Sequence, residues 1–173
     1  DVYKRQIFHW VVGITIIALI AVGIYMEDLD YSDTKMQIYG IHKAVGIIVL
    51  GLMIARLIWR FVSKYPKSLD THKMWERFLS KIVHGILYIM AFSMPLSGWA
   101  MSSSYGYPVS IFGWITLPDL VEKNEVRGEL LAEIHEIGGY ALIAVIVLHV
   151  VGALKHHVID KDNTIKRMLP FCK

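Results

Sequence analysis

The sequence predicts an all-α membrane protein, a bundle of four transmembrane helices that run alternately up and down. Of its 173 residues, 55% are hydrophobic, and the mean hydropathy of +0.47 is high for a soluble domain of this size. The hydrophobic residues fall into four blocks, which charged segments separate. Each block has about the 20 apolar residues that one helix needs to cross a bilayer.

The four blocks form a single predicted domain at residues 7–170. Pro95 lies in the middle of the third block and is expected to kink that helix, because proline lacks the N–H that an inner turn donates. The first six residues, DVYKRQ, are interpreted as non-native, so the topology below does not depend on Lys4 or Arg5. The predicted spans are residues 7–26, 38–59, 82–101 and 133–155.

Charged residues differ between the two sides of the predicted bundle. Residues 56–81 hold seven Lys and Arg against two acids, and residues 155–173 hold five against two. By contrast, residues 27–37 have a net charge of −3, and residues 102–131 hold four acids against two bases. Because cytoplasmic connections are enriched in Lys and Arg, this pattern predicts that both termini lie in the cytoplasm.

Composition also excludes several kinds of site. The single cysteine, Cys172, lies beside the C-terminus. One cysteine excludes a disulfide framework, a cysteine-ligated cluster and covalent haem attachment through Cys-x-x-Cys-His within the chain. The net charge of +3 is modest, and no nucleic-acid partner is expected.

The fourth span carries two histidines, His135 and His149, which are 14 residues apart. At about 100° per residue, the two imidazoles lie within about 40° of each other and roughly 21 Å apart along the helix. Histidines inside a membrane are costly and usually face a partner rather than lipid. Two histidines on one face at two depths therefore indicate two ligands for two stacked cofactors.

Other spans supply histidines at the same two depths. The predicted topology places His42 and His135 near the outer boundary, and His9, His84 and His149 near the inner one. Two imidazoles at each depth are what bis-histidine ligation of b-type haem requires. His9 has two possible partners, and the deeper position of His149 favours it over His84. His84 is then left for a haem propionate or a second substrate.

Glycines support this interpretation. Gly13, Gly46 and Gly139 each follow a histidine by four residues, which is about one helical turn on the same face. A glycine there leaves room for a flat macrocycle. The simpler alternative, that each histidine only hydrogen-bonds across a helix interface, explains one residue better than four. Methionines are interpreted as filler, and four tryptophans are interpreted as interfacial residues: Trp10, Trp59, Trp99 and Trp114.

These residues resemble the bacterial cytochrome b561 family, small four-helix dihaem proteins similar to the cytochrome b subunits of nickel–iron hydrogenases and formate dehydrogenases. The resemblance covers the chain from Ile7 to Pro170. Its matching residues are His9-Trp10, Ile41-His42 with Gly46, His84, His135-Glu136, Gly139-Tyr140, Leu148-His149, His156-His157, Lys161-Asp162-Asn163-Thr164 and Arg167-Met168-Leu169-Pro170.

The resemblance implies haem b between His9 and His149, haem b between His42 and His135, and electron exchange with ubiquinone or another membrane quinone. It also implies a multi-pass protein of the bacterial inner membrane. Some relatives resemble superoxide:ubiquinone oxidoreductases, and an anionic donor of this kind is at odds with the acidic outer loops. Lys43 is the main cation beside His42, and it is predicted to guide such a donor or to bind a haem propionate.

The expected quinone site is at the inner side, where His84 lies near the two consecutive histidines of the tail. Histidine can both bind a carbonyl and pass a proton near neutral pH, so His156 or His157 is predicted to supply the proton. The alternative function is a haem b anchor subunit that relays electrons for a partner dehydrogenase or hydrogenase. The +5 segment at residues 56–81 is the predicted docking surface for such a partner.

Overall fold

A computed structural model gives the fold and describes residues 2–63 and 73–169. Four long helices account for most of these residues, and a two-stranded hairpin lies between the third helix and the fourth. Residues 64–72 of the predicted docking surface, and Cys172, lie outside the described residues. The elements are α1 (Val2–Glu27), α2 (Asp33–Val62), α3 (Met74–Tyr105), β1 (Val109–Ile111), β2 (Ile115–Leu117) and α4 (Glu125–Val158).

All four helices are long and apolar enough to cross a membrane, which confirms the predicted fold of four transmembrane helices. Many isoleucine, valine and leucine side chains are exposed on the helix surfaces, as expected where the surrounding solvent is lipid. The chain is therefore a multi-pass helical membrane protein. We call the end of the bundle with the connections at residues 28–32 and 106–124 the outer end, and the opposite end the inner end.

Each helix extends beyond its predicted span, because polar caps continue the helix where the apolar signal has already ended. Ser32 begins α2 by accepting a hydrogen bond from the Lys35 amide at 3.2 Å. Asn124 begins α4 in the same way, with the Arg127 amide at 2.9 Å. Gly106 ends α3 with φ at 78°, a left-handed conformation that favours glycine.

Helix packing is uneven around the bundle. The closest packing joins α3 to α4, and further packing joins α1 to α2 and α2 to α3. Glycines permit the α3–α4 approach: a Cβ at Gly138 would lie 2.7 Å from the sulfur of Met94, and one at Gly128 would lie 2.9 Å from Tyr105. Among the described residues, α4 makes at most marginal backbone contact with α1 and α2. Side chains therefore have to bridge from α4 to α1 and α2.

An apolar cluster closes the middle of the bundle. Val12, Val49, Met53 and Ala91 are buried there, from α1, α2 and α3. On α4, Leu142 is buried as well, and it lies seven residues from both His135 and His149. The apolar cluster and Leu142 therefore lie between the two histidine levels.

The hairpin of β1 and β2 folds against the outer end of the bundle. The ammonium group of Lys43 donates to the Pro108 carbonyl at 2.9 Å, and the indole of Trp99 donates to the Pro118 carbonyl at 3.1 Å. Lys43 and Trp99 lie inside the predicted spans. Both ends of the hairpin are therefore held closer to the middle of the bundle than the outer ends of α2 and α3. Trp114 at the tip is 92% exposed, which suits the interfacial position predicted for it.

At the inner end, the segment after α4 returns across the bundle to α1. The side-chain amide of Gln6 donates to the Arg167 carbonyl at 3.0 Å, and the indole of Trp10 donates to the Met168 carbonyl at 2.7 Å. These hydrogen bonds join α1 to the chain that follows α4 at the end where His9 and His149 lie.

Candidate functional site

The outer end of the bundle brings His42 of α2 and His135 of α4 together. Their ring centres are 6.3 Å apart, and the ring planes meet at 76°. Both side chains are half-buried. Nδ1 of His42 is buried and has no hydrogen-bond partner among the described residues. The imidazoles bridge a part of the bundle where the backbones of α2 and α4 are not in close contact.

The inner end brings three imidazoles together. The ring centres of His9 and His149 are 6.1 Å apart, and their planes meet at 65°. His84 of α3 lies closer to His149, with ring centres 5.1 Å apart and planes at 81°. Nδ1 of His84 lies 2.6 Å from the Ser80 carbonyl oxygen, so this nitrogen carries the proton and donates it to the backbone.

The three predicted macrocycle glycines have free space beside them. A Cβ added at Gly13, Gly46 or Gly139 would meet no atom within 4 Å. Gly98 and Gly138 differ, because a Cβ at either position would lie within 3.1 Å of a side-chain atom on the neighbouring helix. The glycines that follow the histidines by one turn are therefore not explained by close helix packing.

A cavity of about 1590 Å³ surrounds the inner histidines. Its walls include His9, His84 and His149, and also Ser80 and His156. Of the two consecutive histidines in the last turn of α4, His156 lines the cavity, whereas His157 is not part of its wall. The residues expected on the quinone side therefore lie around the same cavity as the inner histidine pair, with the exception of His157.

Charged side chains form a connected cluster at the edge of this cavity. Lys155 forms ion pairs with the buried Glu76 of α3 and with Asp160, the latter at 2.7 Å. Nδ1 of His156 lies 2.8 Å from Asp160 and 3.4 Å from Asp162. The cluster links α3, α4 and the segment after α4 and holds His156 beside two carboxylates.

Cations at the outer end bind neutral groups. Besides the Pro108 carbonyl, Lys43 donates to the hydroxyl of Ser102 at 3.1 Å. Arg127 donates to the hydroxyl of Ser104 at 3.2 Å and to the Glu122 carbonyl. Among the described residues, the ion pairs within 4.0 Å lie at the inner end. The positive charges of Lys43 and Arg127 are therefore not cancelled by a paired carboxylate.

Two residues of α3 that the sequence did not single out also contact the outer histidine pair. The hydroxyl of Ser97 lies 2.9 Å from Nδ1 of His135, and a Cβ at Gly98 would lie 3.1 Å from Cε1 of the same ring. Ser97 and His135 are 38 residues apart, so no local spacing connects them. Only the packing of α3 against α4 brings them together.

The fold and the two groups of imidazoles define a four-helix membrane protein in which histidines from opposite helices meet at two depths. A model of the prokaryotic cytochrome b561 family matches residues 5–171, and the chain belongs to that family. It is therefore a membrane b-type cytochrome that transfers electrons, and its family implies haem b as cofactor. This confirms the family resemblance found in the sequence.

Known proteins of this family are similar over nearly the whole chain. Cytochrome b561 homolog 2 of Escherichia coli K12 is 32% identical, over 94% of this chain and 87% of its own length. Cytochrome b561 homolog 1 of the same organism is 33% identical, over 96% of each chain. A probable superoxide oxidase CybB of Yersinia pestis is 26% identical, over 94% of this chain and 91% of its own length.

The geometry of the histidine pairs fits haem b. A metal–imidazole bond is about 2 Å long and the ring centre lies roughly 1 Å further, so two imidazoles on opposite sides of one iron have centres about 6 Å apart. The pairs His9–His149 and His42–His135, at 6.1 and 6.3 Å, match this spacing. The pair His84–His149, at 5.1 Å, is about 1 Å too short. The open space beside Gly13, Gly46 and Gly139 leaves room for the same ligand.

Proposed function

We propose that this cytochrome holds two b haems and passes electrons from a donor at its outer end to a membrane quinone at its inner end. The observation that carries the proposal is the presence of two imidazole pairs at two depths, each with the spacing that one iron requires. We assign His42 and His135 to the outer haem and His9 and His149 to the inner one. Gly13, Gly46 and Gly139 would lie against the macrocycles.

When bound, the haems supply single-electron transfer between the two ends of the bundle. The protein supplies the ligands, the apolar surroundings and the separation from water. The apolar cluster of Val12, Val49, Met53 and Ala91 lies between the two histidine levels and makes the middle of the bundle apolar. This burial supports reduction potentials that are set by the protein rather than by solvent.

The charge pattern of the sequence supports an orientation in the bacterial inner membrane with both termini in the cytoplasm. Lys and Arg are concentrated in the sequence between α2 and α3 and after α4. The described helix ends that flank these segments, the end of α2, the start of α3 and the end of α4, lie at the inner end. In this orientation the quinone site faces the cytoplasmic half of the membrane. The donor reaches the outer haem from the opposite side.

The inner cavity supports a quinone site. Its volume of about 1590 Å³ exceeds the roughly 300–1,000 Å³ of ordinary small-molecule sites, so it has room for a second ligand beside a haem. His84 donates Nδ1–H to the Ser80 carbonyl, which leaves Nε2 as an acceptor suited to a quinol hydroxyl. His156, beside Asp160 and Asp162, is the proton donor that we assign to quinone reduction.

Replacing His156 with alanine is expected to lower quinone turnover by roughly 100-fold, the lower end of the range for loss of a positioned proton donor. His157→Ala is the matched control, because His157 does not line the cavity and its loss should change turnover little. Turnover is measured with a water-soluble ubiquinone analogue, at equal haem content for all variants. Normal turnover in a variant that combines His156→Ala with His157→Ala would exclude both histidines as proton donors.

For the outer donor we propose superoxide, which the name of the Yersinia relative, a probable superoxide oxidase, suggests. Two superoxide anions would each give up one electron and leave as dioxygen, and the quinone would take up both electrons and two protons. The acidic segment at residues 27–37 opposes an anion. Lys43 and Arg127 favour it, because their charges are not cancelled by carboxylates.

A superoxide pulse is expected to reduce the haems rapidly at low salt. The reaction should slow as salt is added, because the electrostatic screening length falls to about 8 Å at physiological ionic strength. Lys43→Glu should slow the reaction by about 10-fold at low salt, because it reverses the charge beside His42. Lys35→Glu makes the same charge change two turns earlier on α2 and should have a smaller effect. Haem content is checked in both variants.

The opposite salt dependence would contradict the superoxide proposal. A slow reaction that accelerates with salt would mean that the acidic loops dominate the approach of the donor. The donor would then be neutral, cationic or a protein partner. The assignment of two haems and a quinone does not depend on this result.

A further inference from the structure

The hydroxyl of Ser97 makes two contacts that together define the protonation of His135. It donates to the Met94 carbonyl at 2.9 Å, three residues earlier on α3. The same oxygen lies 2.9 Å from Nδ1 of His135. A hydroxyl has only one proton to donate, so toward the imidazole Ser97 acts as an acceptor. The Met94 carbonyl also accepts a hydrogen bond from this ring. With both acceptors beside it, His135 carries its proton on Nδ1, and Nε2 presents its lone pair.

Gly98, the next residue, fixes the position of the same ring. A Cβ at Gly98 would lie 3.1 Å from Cε1 and 3.4 Å from Nδ1 of His135. The distance to Cε1 is shorter than an ordinary van der Waals contact and the distance to Nδ1 is at its lower limit, so the imidazole lies directly against the backbone of α3. Any side chain at this position would push the ring toward α2.

We propose that Ser97 and Gly98 form a seat for His135 that sets the tautomer, position and electron donation of this ligand, and thereby lowers the potential of the outer haem. Both are positioning residues, since they act through His135. The inference rests on the proposed role of His135 as an axial ligand. A ligating histidine whose second nitrogen donates a hydrogen bond is a stronger electron donor to the metal. Stronger donation stabilises the ferric state.

The seat makes the two outer ligands unequal. Nδ1 of His42 has no hydrogen-bond partner among the described residues, whereas Nδ1 of His135 has Ser97. Of these two imidazoles, only His135 has its tautomer set by a protein group in the described part of the chain. A change at Ser97 should therefore affect the outer haem through His135.

The test compares Ser97→Ala with Ser93→Ala in purified holoprotein, using a spectroscopic redox titration. Ser93 is a matched control, because its hydroxyl also donates to the carbonyl three residues earlier, at 3.4 Å from Met90, and it is exposed. Ser97→Ala is expected to raise the potential of the outer haem and leave the inner one unchanged. Loss of the outer haem to apomyoglobin should also become roughly 10-fold faster, as for other partners of metal ligands. Ser93→Ala should change neither property.

Two further variants separate the seat from general effects on folding. Ser97→Thr keeps a hydroxyl and should restore the wild-type potential. Gly98→Ala should weaken outer haem retention, whereas Gly51→Ala, where a Cβ would meet no atom within 4 Å, should not. The spectrum of the inner haem reports whether each variant is folded. If Ser97→Ala does not yield folded protein, the Gly98→Ala and Gly51→Ala pair decides the proposal.

The outer haem is identified as the one that is absent from His135→Ala. If Ser97→Ala has wild-type potentials and haem retention, or if Ser93→Ala shifts them equally, the seat proposal is wrong. If His135→Ala itself retains two low-spin haems, the ligand assignment under the proposed function is wrong instead. The two failures therefore give different results.

Discussion

A His135→Ala variant is expected to purify with one low-spin b haem per chain instead of two, and His42→Ala is expected to do the same. The ring centres of these residues are 6.3 Å apart, the spacing for two imidazoles on one iron. Removal of either ring leaves one side of the outer iron without a ligand. Haem content is measured by the pyridine haemochromogen assay against protein concentration.

His157→Ala is the control for the outer variants, since His157 belongs to neither pair and should leave both haems in place. The remaining haem of His135→Ala should keep the spectrum and potential of the inner haem. Retention of two low-spin haems in both His135→Ala and His42→Ala would contradict the assignment of the outer pair.

The second large effect is expected on the inner haem. Three histidines lie at the inner end, and two of them are needed as ligands. His9→Ala and His149→Ala are each expected to lose the inner haem, whereas His84→Ala should retain both haems. The reason is the spacing: 6.1 Å between the ring centres of His9 and His149 suits a shared iron, and 5.1 Å between His84 and His149 is too short.

The three inner variants are compared by absorption spectra and haem content at equal protein concentration. Loss of the inner haem from His84→Ala, with retention in His9→Ala, would show that α3 rather than α1 supplies the second ligand. A shift of the inner spectrum in His84→Ala without haem loss agrees with our assignment, since His84 contacts His149 directly.

The helices and the histidine levels could be predicted from the sequence for simple physical reasons. A bilayer demands about 20 apolar residues for each crossing, which hydropathy detects directly. The spacing of His135 and His149 follows from helix geometry alone, because both residues lie on one helix. The matching of levels between helices then needs only the topology, which the distribution of Lys and Arg supplied.

The hairpin and the helix ends could not be predicted in the same way. The predicted spans leave residues 102–131 without any helix or strand, whereas α3 continues to Tyr105, two strands follow, and α4 already begins at Glu125. Strands of three residues are too short to show an alternating pattern. Polar caps such as Ser32 and Asn124 extend the helices without any apolar signal.

Contacts between helices were the other part that the sequence left open. Ser97 and Gly98 meet His135 only because α3 and α4 pack closely and with one particular rotation about their axes. Periodicity gives the face of each helix but not how two faces meet. The preference for His9 as the partner of His149 was reasoned from depth alone, and the ring-centre distances now supply a geometric argument for the same pairing.

The haem content and spectrum of the wild-type protein, purified without partner proteins, test the central claim most directly. The account predicts two b haems per chain, both low-spin in the oxidised and the reduced states, because each iron would have two imidazole ligands. One haem per chain, or a high-spin haem in the intact protein, would contradict the assignment of two bis-histidine sites.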